Sequence, residues 1–432
     1  MTQEASETVA VTVSPAVAAL AEQHGVALRY ESFWHEDVQV PEAVLRNALS
    51  AMGIDPEAAP TDDAAAHRPP PVQVVTDGEA AAVRWPARSG RTIAWTVASD
   101  EQPDQVVHRG IAVREDGHYA VALPALEPGY WRFVLDGNDL DYCLLVVAPR
   151  RCWVPPPLQE GQRWWGCTVQ LYALRSGRNW GVGDLGDLRR LVAAAARHGA
   201  SFIGLSPLHA LFPHRPAGAS PYSPSSRTAL NPIYLDVQAL VELSGCKPAQ
   251  ELVNSDGFQA RLRGLREPEL VDYPGVAAAK EEVLRLLWRH FEERDLAGTS
   301  ARGEQFRAFV AQRGELLAQH ALFEALQEHF FAADSEVWGW PAWPPEYRDV
   351  HSPQVRAFQR EHASALQYRL WLQWLMEVQL ESAQRYARTL GMGLGLYCDL
   401  AVGANEGGAE TWKQPQLYAL GMHAGAPPDP LN

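Results

Sequence analysis

From Trp164 onward the chain reads strand, helix, strand, and this alternation constrains the fold more than any other feature. WWGCTVQLYAL (Trp164–Leu174) has the composition of a buried strand. GDLGDLRRLVAAAARHG (Gly183–Gly199) carries Leu185, Leu188 and Val192 on one helical face, and SFIGLSPL (Ser201–Leu208) is the next strand. Together they make a βαβ unit of parallel type. Asp184 or Asp187 caps the helix start, and His198 with Gly199 ends it. For these two aspartates, capping is a more economical role than catalysis. The third strand of this kind, GLGLYCDLAVG (Gly393–Gly403), is so distant that the connection must hold a subdomain, about residues 245–390. Helical patterns at Ala277–Glu292, Gly303–Phe331 and His362–Gly391 fill it, the last with a stripe of Leu366, Leu370, Trp374 and Val378. Trp371 and Trp374 on that helix are expected in the core.

The first 58 residues have helical patterning, with Leu45, Leu49 and Met52 spaced as on one face after Pro41, and predict a small helical domain. APTDDAAAHRPPP (Ala59–Pro71) breaks all periodicity and reads as a linker. Between Val72 and Pro149, six short runs (VQVV, AAVRW, TIAWTVA, YAVAL, YWRFVL and YCLLVV) predict a β-sandwich, which the Glu127-Pro128-Gly129 turn likens to carbohydrate-associated immunoglobulin-like modules. Trp85, Trp95 and Trp131 offer two readings, a sugar platform or the sandwich core, and the weight of large aromatics in small cores favours the second. A second linker, Trp153–Pro157, leads into the α/β region that occupies 150–432.

At 432 residues and 47% hydrophobic composition the chain has material for two or three domains. Its formal charge of −15 repels phosphate backbones and anionic lipid, which argues against nucleic acid as a partner. No stretch approaches the roughly 20 apolar residues that span a bilayer, and MTQEASETVAVTVSPAV lacks a basic leader, so a cytoplasmic protein without membrane partners is expected. Cys143, Cys152, Cys167, Cys246 and Cys398 show neither disulfide nor zinc spacing and are expected as buried thiols. GVGDLG lacks the lysine of a P-loop, and no metal or other cofactor is indicated.

The chemistry concentrates in SPYSPSSRTALNPIYLD (Ser220–Asp236). Pro221, Pro224 and Pro232 stiffen it, Tyr222 offers a flat apolar face with a polar tip, and Ser220, Ser223 and Asn231 supply hydrogen-bonding groups. A pyranose ring wants that combination; a proline-rich surface turn without a ligand is the other reading. VWGWPAWPPEY, with Trp338, Trp340 and Trp343, likewise reads either as an aromatic lip for a sugar chain or as packing onto the α/β region.

This loop, with NWGVGDLGDL (Asn179–Leu188), FIGLSPLHALFP (Phe202–Pro213) and CDLAVGANEGGAETW (Cys398–Trp412), resembles the 4-α-glucanotransferase (amylomaltase, disproportionating enzyme) family over Trp164–Asn432. The resemblance implies a (β/α)8 barrel, incomplete in this chain, which shows three strand segments and stops in GAPPDPLN. It implies α-1,4-glucans such as maltodextrins as substrate, transferred by a retaining double displacement through a covalent glycosyl-enzyme. Tyr222 matches the tyrosine that stacks on sugar beside the scissile bond, Ser220 a donor-side contact, and Asp399 the aspartate of the family's DLAVG segment. Asn405, Glu406 and Trp412 follow Asp399 and are candidate glucan contacts. The attacking carboxylate and the acid/base are expected on later strands, beyond the end of this chain, so neither is assigned here. A related α-glucan hydrolase or branching enzyme is disfavoured by SPYSPSS and GANEGGAETW; a noncatalytic glucan-binding protein is the alternative from another class.

Overall fold

The computed structural model describes residues 13–59, 68–79, 82–87, 92–135, 142–423 and 425; most of the Ala59–Pro71 linker and the last residues of GAPPDPLN lie outside them. In chain order the elements are α1 (Pro15–Gln23), β1 (Arg29–Glu31), β2 (Asp37–Gln39) and α2 (Glu42–Ala51), then β3 (Val72–Thr76), β4 (Ala82–Pro86), β5 (Ile93–Ser99), β6 (Val106–Glu115), β7 (His118–Ala122), β8 (Gly129–Leu135) and β9 (Tyr142–Ala148). They continue with α3 (Pro156–Gln159), β10 (Gly166–Val169), α4 (Leu185–Arg197), β11 (Phe202–Leu205), β12 (His209–Ala210) and β13 (Ser226–Leu230). A helical run follows: α5 (Val241–Gly245), α6 (Lys247–Asn254), α7 (Asp256–Arg266), α8 (Tyr273–Phe291), α9 (Ala301–Ala333), α10 (Pro353–Glu361) and α11 (Ala363–Thr389). β14 (Gly395–Cys398) and α12 (Ala409–Lys413) complete the series.

Two compact units form. One holds residues 13–25 with 57–162, the other 26–56 with 163 onward. Where the sequence suggests one helical domain over 1–58, an antiparallel hairpin, β1–β2, separates the two helices, and these helices belong to different units.

In the first unit seven strands connect in the order β3-β9-β8-β5-β6-β7-β4. β6 joins the two halves: its early residues pair with β5 and Val113–Glu115 pair with β7. Trp85, Tyr119 and Phe133 are buried between them, the Trp85 and Tyr119 rings 5.4 Å apart. Trp95 stacks on Phe133, and the Trp131 indole N–H donates to the Glu127 carbonyl, so these tryptophans pack within the sandwich. β6 is absent from the six runs named above. Gly110 interrupts its pattern, and it does so because the Trp95 ring lies 2.7 Å from where a Cβ would stand.

The second unit is organised by a parallel sheet of order β10-β11-β14. Gly166, Phe202 and Gly395 are in register, as are Val169, Leu205 and Cys398. Ile203 and Leu205 are buried in the same core as Leu185, Leu188 and Val192 of α4 and Ala383 and Ala387 of α11. Trp371 and Trp374 are buried there too. α9 is broken at Gly314, whose φ is +62°. The five cysteines are unpaired; Cys143 and Cys246 are buried, but Cys152, Cys167 and Cys398 are exposed, which corrects the expectation of buried thiols.

The NWGVGDLGDL turn is a steric device. Asp184 caps α4 by accepting from the Asp187 N–H at 3.0 Å, and Asp187 answers by accepting from the Asp184 N–H and from Asn179 Nδ2 at 2.8 Å. A Cβ on Gly183 would lie 1.9 Å from the Leu171 carbonyl, and one on Gly186 would lie 2.1 Å from Asp236 Oδ2. Asp236 receives two bonds from Arg178 Nη2, at 2.9 and 2.7 Å. Lys280, fully buried, donates to the Ile233 and Leu235 carbonyls at 2.5 and 2.8 Å. The last residues of the Ser220–Asp236 loop are thus pinned to the start of α4.

Gly186→Ala is expected to destabilise the chain by about 1–3 kcal/mol, the range for forcing an extra carbon into filled space. Gly264→Ala in α7, with no atom within 4 Å of the added carbon, is expected to gain about 0.5–1 kcal/mol. Urea denaturation followed by tryptophan fluorescence measures both, and equal stability of Gly186→Ala and the unsubstituted chain would remove the steric account.

Candidate functional site

The carboxyl ends of β10, β11 and β14 lie on one edge of the parallel sheet. The ladder continues one residue past the strands: the Ser206 N–H donates to the Val169 carbonyl at 3.3 Å, and the Asp399 N–H to the Leu205 carbonyl at 3.1 Å. By strand alternation Asp399 shares the face of Tyr397, away from the face where Leu205 is buried. Asp399 is exposed, as are Tyr397 and Leu400. Ser206, in the adjoining position on β11, has a buried hydroxyl without a hydrogen-bond partner. Sequence reading did not single it out.

The Ser220–Asp236 loop stands beside the loop that follows β14, and the two are stitched by backbone. The Asn405 N–H donates to the Pro224 carbonyl at 2.7 Å, the Glu410 N–H to the Ser225 carbonyl at 3.0 Å, and the Ser225 N–H to the Ala210 carbonyl at 2.8 Å. Ser225 Oγ also accepts from the Ala409 N–H. A Cβ on Gly408 would sit 2.5 Å from the Ser225 carbonyl, so glycine there permits the approach. Through this seam Ser220, Tyr222 and Ser223 remain exposed, Tyr222 at 61%. The prolines and the seam therefore present the tyrosine ring on a fixed support.

The strongest link across the seam is ionic. Arg227 donates from Nε and Nη2 to Glu410 Oε1, at 3.0 and 2.6 Å, while its backbone N–H donates to Glu410 Oε2 at 2.7 Å. Its Nη1 reaches the Val402 carbonyl at 2.9 Å, and the Tyr418 hydroxyl donates to Glu410 Oε1 at 2.7 Å. Burial pushes the Glu410 carboxyl up, but the bonds from Arg227 and Tyr418 outweigh it and hold the group below its ordinary value. His209, buried beside this pair, accepts from the Ala401 N–H at its Nε2, and its pKa is lowered, first by burial. None of Arg227, Glu410, Tyr418 and His209 is marked by local sequence pattern.

The remaining expected contacts divide. Glu406 is exposed, its Oε1 accepting from the Gly421 N–H at 3.0 Å. Asn405 spends its amide inside the seam, donating to Ser223 Oγ at 3.1 Å and accepting from the Gly407 N–H at 3.0 Å. Trp412 is corrected: it is fully buried, its indole N–H donates to the Tyr347 carbonyl at 3.0 Å, and its ring packs against Phe323 and Trp343. An enclosed indole presents no face to a sugar. Trp343 and Trp340 are buried as well, Trp340 donating to the Glu406 carbonyl and Thr411 Oγ1, both at 3.0 Å. These aromatics are the footing of the post-β14 loop, and Trp338, packed edge-on against Phe212 and under Arg215, is the half-exposed member of that group. A cavity of about 570 Å³ runs from His209 and Arg227 of the seam to Glu377, Gln384, Leu396 and Cys398 beside α11. Among the described residues no His, Cys, Asp and Glu side chains group as a metal site, and no helix is long and apolar enough to cross a membrane.

Arg227→Met is expected to cost about 2 kcal/mol or more, since it leaves the buried Glu410 carboxylate without its cationic partner. Because the folded state holds Glu410 below its ordinary value of 4.5, its contribution is present above that pH and is lost as pH falls through the folded pKa. The stability difference between the unsubstituted chain and Glu410→Gln should therefore shrink on acidification below about pH 4.5; a difference independent of pH from 3 to 7 would contradict it.

Residues 169–432 match the family model described as 4-alpha-glucanotransferase, and residues 70–149 match the model of a MalQ N-terminal beta sandwich domain. The 4-alpha-glucanotransferase of Haemophilus influenzae is 38% identical over 316 residues, covering 72% of this chain and 45% of that protein. The one from Mycobacterium tuberculosis is 34% identical over 457 residues, covering 97% of this chain and 60% of its own length. The chain thus spans about half the length of the curated relatives it matches. Among solved structures, the amylomaltase of Corynebacterium glutamicum superposes with a TM-score of 0.66 at 25% identity, over 91% of this chain and 56% of that one. With a family model matched across more than half its length, and with the seam of the candidate site inside that match, the chain belongs to the 4-alpha-glucanotransferase family.

Proposed function

We propose that this chain forms the glucan-holding part of an enzyme that transfers α-1,4-glucan segments between maltodextrins. The carrying observation is Tyr222: a ring 61% exposed on a loop stiffened by three prolines and fastened to the loop after β14. Such a ring offers its face to the CH groups of a pyranose at little entropic cost, because the support is set before the sugar arrives. Ser220 and Ser223 beside it, and Asp399 and Glu406 on the neighbouring loop, supply hydrogen-bonding partners for sugar hydroxyls. Asn405 acts by keeping the two loops together.

In this reading the three parallel strands are part of a (β/α)8 barrel, whose active groups stand at the carboxyl ends of the strands. The helices of about 245–390 are an insertion between its second and third strands, and the sandwich of 72–149 and the residues before it are accessory domains. Transfer proceeds by retaining double displacement. A carboxylate attacks the anomeric carbon and a second carboxyl protonates the leaving oxygen; that group then takes the proton from the 4-hydroxyl of an incoming glucan. Both groups are expected beyond residue 432, so the chain alone should bind maltodextrin without rearranging it.

Isothermal titration with maltoheptaose tests the first half. The unsubstituted chain should bind, and Tyr222→Ala should weaken binding about tenfold, about 1.4 kcal/mol. Asp399→Asn should weaken it less, while Trp412→Phe, changed inside a closed core, should leave affinity unaltered if folding is intact. The second half is tested on the polypeptide extended through the remaining family region, which should convert maltotriose into glucose and longer glucans. Binding without glucose release by that extended protein would favour the noncatalytic alternative, and no binding by either form would sink the proposal.

A further inference from the structure

Between α9 and α11 three buried side chains each keep one polar atom without a partner: Nδ1 of His320, Oε1 of Glu324 and Nε of Arg369. The three residues are 2%, 4% and 4% exposed. His320 and Glu324 are one helical turn apart on α9, yet neither bonds the other. The opposite edge of Arg369 is engaged, its Nη2 donating to Glu328 Oε2 at 2.8 Å and lying 3.4 Å from His214 Nε2. All three residues line a single cavity of about 10 Å³, closed otherwise mainly by Leu211, Pro213, Pro232 and Leu372.

The donor and acceptor count specifies the occupant. Burial, with Lys413 and Arg369 adding to it, pushes His320 down to about 3, so its ring is neutral and one nitrogen accepts. Arg369 Nε–H can only donate, and the ionised Glu324 carboxylate can only accept. One water molecule satisfies the set, accepting from Arg369 and donating to Glu324 and to His320. An anion is opposed by Glu324, and a cation by Arg369. The volume is that of about one water-sized sphere, and a buried water commonly makes two to four such bonds. Burial pushes the Glu324 carboxyl up to about 7 against the pull of Arg369, so the neutral acid is also populated near neutrality, and in that form too its carbonyl oxygen accepts from the same water.

We propose that His320, Glu324 and Arg369 bind one structural water between α9 and α11. The site lies under the Ala210–Pro213 segment, which leads directly into Ser220 and Tyr222. The water thereby joins α9 to α11 beneath that segment. The inference does not depend on the glucan reading, because the observations that carry it lie in the helical insertion.

A crystal structure of the unsubstituted chain at a resolution that shows ordered solvent tests the proposal without needing any variant to fold. A spherical peak about 2.6–3.2 Å from His320 Nδ1, Glu324 Oε1 and Arg369 Nε is expected. Glu324→Gln, which keeps an acceptor oxygen, should retain the peak; Glu324→Leu should lose it. The proposal is overturned by an unsubstituted structure with no peak there, by side chains turned to bond one another directly, by an ion in place of water, or by a peak that persists unmoved in Glu324→Leu.

Discussion

The candidate site depends on one ion pair, Arg227 with Glu410. Two segments of chain 183 residues apart meet there, and the pair fixes both the register and the spacing of the two loops. Its geometry explains the small residues around it. The guanidinium can reach the carboxylate only if the backbones touch, which requires serine at 225, where the hydroxyl accepts from the Ala409 N–H, and glycine at 408. Burial of the carboxylate makes the pair a selective fastener: water is excluded enough for the bonds to be directional, and every polar atom of the carboxylate is used, so desolvation is offset by three partners in Arg227 and one in Tyr418.

Beneath that pair the tryptophans take the role opposite to the one their abundance suggests. Indoles in a chain of this family invite assignment as sugar platforms, but burial is decided by what surrounds them. Trp343 and Trp412 meet edge to face at 5.6 Å, with Phe323 packed against both. Trp340 adds two hydrogen bonds into the loop above. Buried indoles give the loop a rigid floor, and the exposed aromatic surface at the site is left to Tyr222 and Tyr397, where a phenol can meet water at its edge.

What the sequence made legible follows the range of the interactions involved. The three parallel strands and α4 were readable because period and capping are local: the Leu185, Leu188 and Val192 stripe and the Asp184–Asp187 box need only neighbours. The long helices α8, α9 and α11 were readable for the same reason. α5, α6, α7 and α10 were missed because short helices, separated by single turns, offer too few periods to stand out. β6 was missed because Gly110 answers to a ring on another strand. Tyr222 and Asp399 were legible from the resemblance and stand exposed. Arg227, Glu410 and His209 were not, since their meaning lies in partners far along the chain, and Trp412 was misread because the residues flanking it are polar while the walls around it come from α9 and the Trp343 loop.

The glycine-rich turn before α4 shows why composition alone misleads about ligands. A helix start preceded by glycines is ready to receive an anion, since its N–H groups point outward and its dipole favours negative charge. Here that capacity is consumed internally. Asp184 and Asp187 bond the first amides, and the Asp236 carboxylate lies against Gly186 with Arg178 on its other side. Burial pushes Asp184 up to about 6, with Lys280 pulling against it and the neighbouring Asp236 and Asp187 adding to the rise. A phosphate would meet the carboxylates of Asp184, Asp187 and Asp236 there. The same occupancy ties the end of the Ser220–Asp236 loop to the sheet's first helix, so the turn contributes to the site by placing it.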